Sequence, residues 1–194
     1  IILRKRYWLY YALQFMSGAR RQIFVVFAGF LMVEKFEFTV AEISMLLIAN
    51  AAINVVFAPK IGRLIQRFGE RKSLIFEYIG LSLIFAGYAF VESSEFAVFL
   101  YIADHLFFSI AIALKTYFQK IADPADIASS SGVSFTINHI AAVFIPVVFG
   151  LVWLYSPSLV FLAGSGMAIV SLILALNMPS KPALGNEVLI GKFS

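Results

Sequence analysis

Cysteine is missing from all 194 residues, which removes disulfides, thiolate catalysis and thiol-ligated metal sites together. Charge is scarce as well: 13% of residues are Asp, Glu, Lys or Arg, against about 25% in a soluble domain. There is no glycine-rich phosphate loop, and no serine–histidine or paired-aspartate arrangement at helical spacing. Nucleotide hydrolysis and the common hydrolytic chemistries therefore have no residues to run on, and no enzyme is expected. A cleavable signal is lacking too, because Arg4-Lys5-Arg6 leads into an apolar span too long for a signal h-region. Hydrocarbon is what the chain has in quantity. Hydrophobic residues make up 61%, with 21 Phe and 5 Met, and mean hydropathy is +0.92. The composition is that of an all-α polytopic membrane protein whose first partner is the lipid bilayer.

Six apolar stretches are each long enough to cross: 7–33, 40–61, 73–91, 96–122, 128–154 and 158–178. Residues 1–178 read as a six-helix transmembrane bundle. Residues 179–194, with Pro182 and Gly185, read as a poorly ordered cytoplasmic tail. A pI of 9.4 would suggest nucleic acid in a soluble protein, but here the basic residues form a topology signal. Arg4, Lys5, Arg6, Lys60, Arg63, Arg67, Arg71, Lys72, Lys120, Lys181 and Lys192 fall on one side, and Lys35 alone on the other. The positive-inside rule then places both termini in the cytoplasm of a cell (inner) membrane protein, and no nucleic acid is expected.

Arg20, Arg21 and Lys115 remain, inside the membrane. The two arginines lie thirteen and fourteen residues from Tyr7, about 20 Å along a helix. A central arginine costs about 2.5–3.5 kcal/mol on insertion scales, so such charges mark a watery cavity, a counter-ion or an anionic ligand. Gln14, Gly18 and Arg21 recur at i, i+4, i+7 and share a face, while Arg20 is turned about 100° away. Arg21 is the better candidate for a cavity, and Arg20 for an interhelical partner. Gly18 is expected to permit an unwound turn. Asn50 and Asn54 sit one turn apart, suited either to ligand contact or to packing between helices. In the fourth span Asp104, Phe108, Ala111 and Lys115 define a stripe, with His105 beside it. The fifth span adds Asn138 and His139, and Pro146 is expected to bend it.

Two chemistries follow. Arg20, Arg21 and Lys115 outnumber Asp104, so a site built from them with Gln14, Asn50 and Asn54 favours a small anionic substrate. Asp104, His105 and His139 carry groups suited to proton coupling. Alternatively Asp104 is a fixed counter-ion to Arg20, and each histidine a packing residue. No metal-ligand spacing repeats, and neither metal nor other cofactor is expected. The first member of each set of three spans is polar and the third apolar, a pattern expected of two inverted three-helix repeats around a central site.

Between the second and third spans the chain reads Gly62-Arg63-Leu64-Ile65-Gln66-Arg67-Phe68-Gly69-Glu70-Arg71-Lys72. This resembles the loop signature of the major facilitator superfamily. Gly62, Arg67, Gly69, Arg71 and Lys72 match, and Gln66 stands where that family has aspartate, which puts charge-based gating there in doubt. Asp123-Pro124-Ala125-Asp126 and Ser129-Ser130-Ser131-Gly132 resemble the family's connection between its tenth and eleventh helices. The resemblance covers residues 7–178 and implies a C-terminal six-helix half of a secondary transporter working by alternating access. That reading fits a chain beginning at Ile1. The expected partner is an N-terminal half, or else a second copy. A membrane scaffold or interaction protein without transport is the alternative.

Overall fold

The computed structural model describes residues 3–192. Among them five helices are long and apolar enough to cross a membrane: α1 (Lys5–Phe36), α2 (Val40–Ala89), α3 (Ser94–Ile121), α4 (Pro124–Tyr155) and α5 (Pro157–Leu176). Their ends are set locally. Glu37 adopts a left-handed conformation (φ 55°), and Phe38 N–H closes back onto the Met32 carbonyl at 3.1 Å, the usual way to satisfy last-turn carbonyls. Thr39 then opens α2 with a capping box. Its Oγ1 accepts from Glu42 N–H at 3.3 Å, and the Glu42 carboxylate accepts from Thr39 N–H at 2.8 Å. Ser93 caps α3 through Phe96 N–H, and Pro157 supplies a preset φ at the first turn of α5.

At 50 residues, α2 would be about 75 Å long if straight, more than twice a bilayer core. It is not straight. Gly69 leaves the helix with φ 82° and ψ 166°, and the arms on either side, 40–68 and 70–89, double back. Asn54 on the first arm accepts a hydrogen bond from Ser109 at 3.1 Å. Gly80 on the second arm lies so close to Phe107 that a Cβ there would stand 2.0 Å from the ring. Positions 26 residues apart thus meet neighbours two residues apart on α3. The expected loop over 62–72 is a correction. Helix runs through Gly62 to 68 and resumes at 70, so the reversal is one glycine. Arg63, Leu64, Gln66 and Arg67 are compatible with an exposed amphipathic turn of helix, which is why no wider break is needed.

Contacts at the two ends of the bundle alternate along the chain. At the Gly69 end, Arg4 Nε meets Asp126 Oδ1 at 3.0 Å, Lys120 Nζ meets Glu70 Oε1 at 2.7 Å, and Arg71 Nη2 donates to the Leu176 carbonyl at 2.9 Å. At the other end, Lys35 Nζ meets Glu92 Oε1 at 3.1 Å, Trp153 Nε1 donates to Glu34 at 2.8 Å, and Ser158 donates to the Ala89 carbonyl at 2.8 Å.

The core is two hydrophobic clusters. One gathers Ala19, Ile23, Phe27, Leu81, Phe85, Leu100, Phe161 and Ala168; the other gathers Leu9, Leu13, Leu74, Tyr78, Leu114, Tyr117 and Ala175. In the small-residue run Gly164-Ser165-Gly166 of α5, Gly164 faces the first cluster, where a Cβ would stand 3.0 Å from the Phe85 ring. Gly166 faces open space. The segment after α5 is a second correction. It is strapped down rather than poorly ordered: Asn177 pairs with Ile190 through both halves of its side-chain amide, Tyr117 donates to the Glu187 carbonyl, and Trp8 donates to Gly191. Val188 is buried beneath it. Apolar burial and three anchors outweigh the local effect of Pro182 and Gly185.

Candidate functional site

A cavity of about 760 Å³ opens between α1, α3 and α4. From α1 it takes Tyr10, Gln14, Ser17, Gly18, Arg21 and Gln22; from α3, Phe108, Ala111, Lys115 and Gln119; from α4, Ser131, Ser134, Asn138 and His139. The heptad-like recurrence on α1 explains its share: 14, 18 and 21 fall on one face, with 17 and 10 beside it. The α3 share follows the same way from Phe108, Ala111 and Lys115.

Gly18 does not unwind. The helix is continuous through it, and its missing side chain lets α1 lie against α4, since a Cβ would stand 2.7 Å from Asn138 Oδ1. Irregularity comes later, as a π-helical turn over Ile23–Ala28, the kind of wide turn that recurs at functional sites.

The cavity's electrostatics are one-sided. Arg21 and Lys115 both line it, no acidic side chain does, and among the described residues no carboxylate lies within 4.0 Å of either cation. Amides of Gln14, Gln22, Gln119 and Asn138 and hydroxyls of Ser17 and Ser131 add neutral donors. The wall is aromatic at one side, where Tyr10 and Phe118 stack with centroids 4.2 Å apart. Ser134 donates to the Tyr10 hydroxyl at 2.9 Å and holds that ring. His139 has its Nδ1 2.9 Å from the Phe135 carbonyl and its ring against Phe135.

A smaller pocket of about 220 Å³ adjoins at Arg21 and is lined also by Phe24, Asn54, His105, Phe108 and Ser109. So Gln14, Arg21, Lys115 and His139 meet in the main cavity, and Asn54 and His105 share the side pocket. Asn50 is fully buried and lines neither.

Arg20 also lines neither pocket. It is fully buried, its Nη1 donates to Ser171 Oγ and to the Met167 carbonyl at 3.4 Å, and its guanidinium lies 4.8 Å from the Tyr78 ring centre. Asp104 leaves the stripe on which its spacing places it. One turn beyond Phe108, the Phe24 ring closes on Tyr101 at 4.9 Å and on His105 at 6.3 Å. That brings α1 against α3 there, and Asp104 on the same stretch of α3 is fully buried. No ion pair within 4.0 Å joins Asp104 to Arg20 among the described residues.

Of the loop residues, Gly69 makes the turn and Arg71 reaches α5; Gly62 is helical, and Gln66, Arg67 and Lys72 lie on the outer side. The sequence reading missed Tyr10, Gln22, Gln119, Ser131 and Ser134 as cavity residues. Ser131, Ser134 and Asn138 at i, i+3, i+7 carried that signal.

The family model described as Major Facilitator Superfamily matches residues 10–190. No curated protein and no solved structure matches the chain.

Proposed function

The chain belongs to the major facilitator superfamily, and from that premise we propose that it is half of a secondary transporter moving a small organic anion by alternating access. Members of the family are multi-pass membrane transporters rather than enzymes. The observation that carries the anion is the cavity's charge: Arg21 and Lys115 line it with no carboxylate among the lining residues. A pair of uncompensated cations attracts carboxylate or phosphate, and arginine's planar fork binds either with two parallel hydrogen bonds.

Six crossings arranged as two inverted triplets are the architecture we propose for it. The reversal at Gly69 and the alternation of end contacts support that arrangement. The partition of basic residues supports cytoplasmic termini and a cell inner membrane. Large apolar side chains of the first α2 arm and of α4 are exposed, among them Ile48, Val55, Phe144, Val147 and Leu151. With charges lining a cavity between such faces, the fitting cover is a second six-helix half, an N-terminal one or another copy. Asp104, His105 and His139 are the residues we assign to proton coupling.

Arg21→Ala in purified protein is the test, with binding measured over a panel of carboxylates and phosphate esters and their neutral amide or alcohol analogues. A hydrogen bond to a charged group contributes about 1.5–3 kcal/mol, so anion affinity is expected to fall about 10–150-fold. Arg21→Lys should recover part of it, the charge without the fork. Unchanged anion affinity in Arg21→Ala, or neutral analogues binding as well as anions, would refute the assignment.

A further inference from the structure

Between the two hydrophobic clusters of the core lies a polar seam. Arg20 follows Ala19 of one cluster, Glu77 lies between Leu74 and Leu81, Asp104 follows Tyr101, and Ser171 lies between Ala168 and Ala175. Arg20, Glu77 and Asp104 are each fully buried. Both oxygens of Glu77, both oxygens of Asp104, and Nε and Nη2 of Arg20 have no hydrogen-bond partner. Glu77 lies within electrostatic reach of both Arg20 and Asp104, and Asp104 of Arg20, although among the described residues no ion pair within 4.0 Å joins any two of them. The other titratable groups facing them are Tyr78 beside Arg20, and Tyr88 and Tyr101 beside Asp104. None of the three lines the substrate cavity.

Two carboxylates against one guanidinium leave a formal charge of −1 in the most apolar part of the molecule. Arginine does not release its proton there. A buried ion with no donor is the least tenable state for a carboxylate, whereas a protonated carboxyl is itself a donor and can bond the neighbouring group.

We propose that Arg20, Glu77 and Asp104 form a sealed proton-binding site that holds one proton on one or other of its two carboxyl groups. Binding adds one H⁺ to a carboxylate oxygen and takes the cluster from −1 to 0, with no covalent or redox change. The site deepens the proton-coupled reading above and rests on it for the use made of the proton. It adds Glu77, and it removes Arg20 from the substrate site. The side pocket lies on the adjoining faces of the same helices. Arg21 and His105, the next residues on α1 and α3, both line the side pocket, and the π-helical turn Ile23–Ala28 follows directly on α1.

Infrared spectroscopy of the purified protein in lipid tests this through the carbonyl stretch of protonated carboxylic acids, which moves on transfer to D₂O. At neutral pH the wild type is expected to show one carboxyl's worth of band. Glu77→Gln and Asp104→Asn, both nearly isosteric, should each abolish it, because the remaining carboxylate then balances Arg20. Arg20→Met should raise it to two. Absence of the band in the wild type, or its survival in both Glu77→Gln and Asp104→Asn, would overturn the proposal. Arg21→Ala should keep the band while losing anion binding, so failure of the cavity reading and failure of this one are read separately.

Discussion

Gly69 and Gly62 belong to one sequence motif, yet substituting each with alanine should move stability in opposite directions. At Gly69 a Cβ would meet nothing within 4 Å, so no packing term enters and any cost is that of the backbone. With φ 82° and ψ 166° the residue lies in a region essentially reserved for glycine, where a side chain costs about 1–3 kcal/mol. The turn cannot slide elsewhere to relieve it, because Glu70 is tied to Lys120 at 2.7 Å and Arg71 to the Leu176 carbonyl at 2.9 Å. At about 2–4 °C per kcal/mol for a chain of this size, Gly69→Ala should lower the melting temperature by about 2–12 °C. Gly62 is helical and equally unobstructed. Gly62→Ala should gain up to about 1 kcal/mol of helix propensity and raise the midpoint slightly. Asparagine at 69 should do no better than alanine, since asparagine tolerates the left-handed helical region but not this extended ψ. The assay is thermal unfolding in detergent, followed by the fluorescence of Trp8 and Trp153. A Gly69→Ala midpoint equal to wild type, or damage from Gly62→Ala instead, would refute the one-residue reversal.

Two further outcomes are expected. Gly164→Ala should cost about 1–3 kcal/mol by overpacking against the buried Phe85 ring, 3.0 Å from the added Cβ, whereas Gly166→Ala, which meets nothing within 4 Å, should be neutral or slightly stabilising in the same melting assay. Asn177→Ala deletes the two amide bonds to Ile190, together about 1–3 kcal/mol. A glutamate-specific protease should then cut after the buried Glu187 about 5–150-fold faster, and an unchanged rate would mean that Val188 and Trp8 hold the strap without it.

Much of this arrangement was legible in the residues. Gln14, Gly18 and Arg21 share a face because helical spacing puts them there, and the 100° offset that turned Arg20 away from them is the offset that buries it. The span starts at 40 and 158 rest on hydrophobicity alone, and the structure supplies their physical cause, Thr39 with Glu42 and Pro157 after Ser156. Asp104 defeated the same logic. Periodicity gives a residue's angle about its helix but not the depth at which neighbouring helices close, and here Asp104 is fully buried while Phe108, Ala111 and Lys115 of the same stripe line the cavity. Glu77 lies in the first turns of the third span, where nothing in the sequence marks it as buried, because its burial depends on the helices that pack against it. The tail misled for a different reason: proline and glycine report local stiffness and say nothing about a distant Tyr117 or Trp8 waiting to bind the backbone.

The π-helical turn Ile23–Ala28 amounts to one surplus residue held inside α1, since each of its hydrogen bonds spans five residues where an α-helix spans four. The wide turn absorbs that residue by spreading over six residues roughly the rotation that five take in an α-helix, so a count at about 100° per residue across it runs ahead by one position. Deleting Val25 is therefore expected to return the turn to α-helix while leaving Arg21 on the cavity and Arg20 in the core, and α1 can change length by one residue here at less cost to its faces than anywhere else along it.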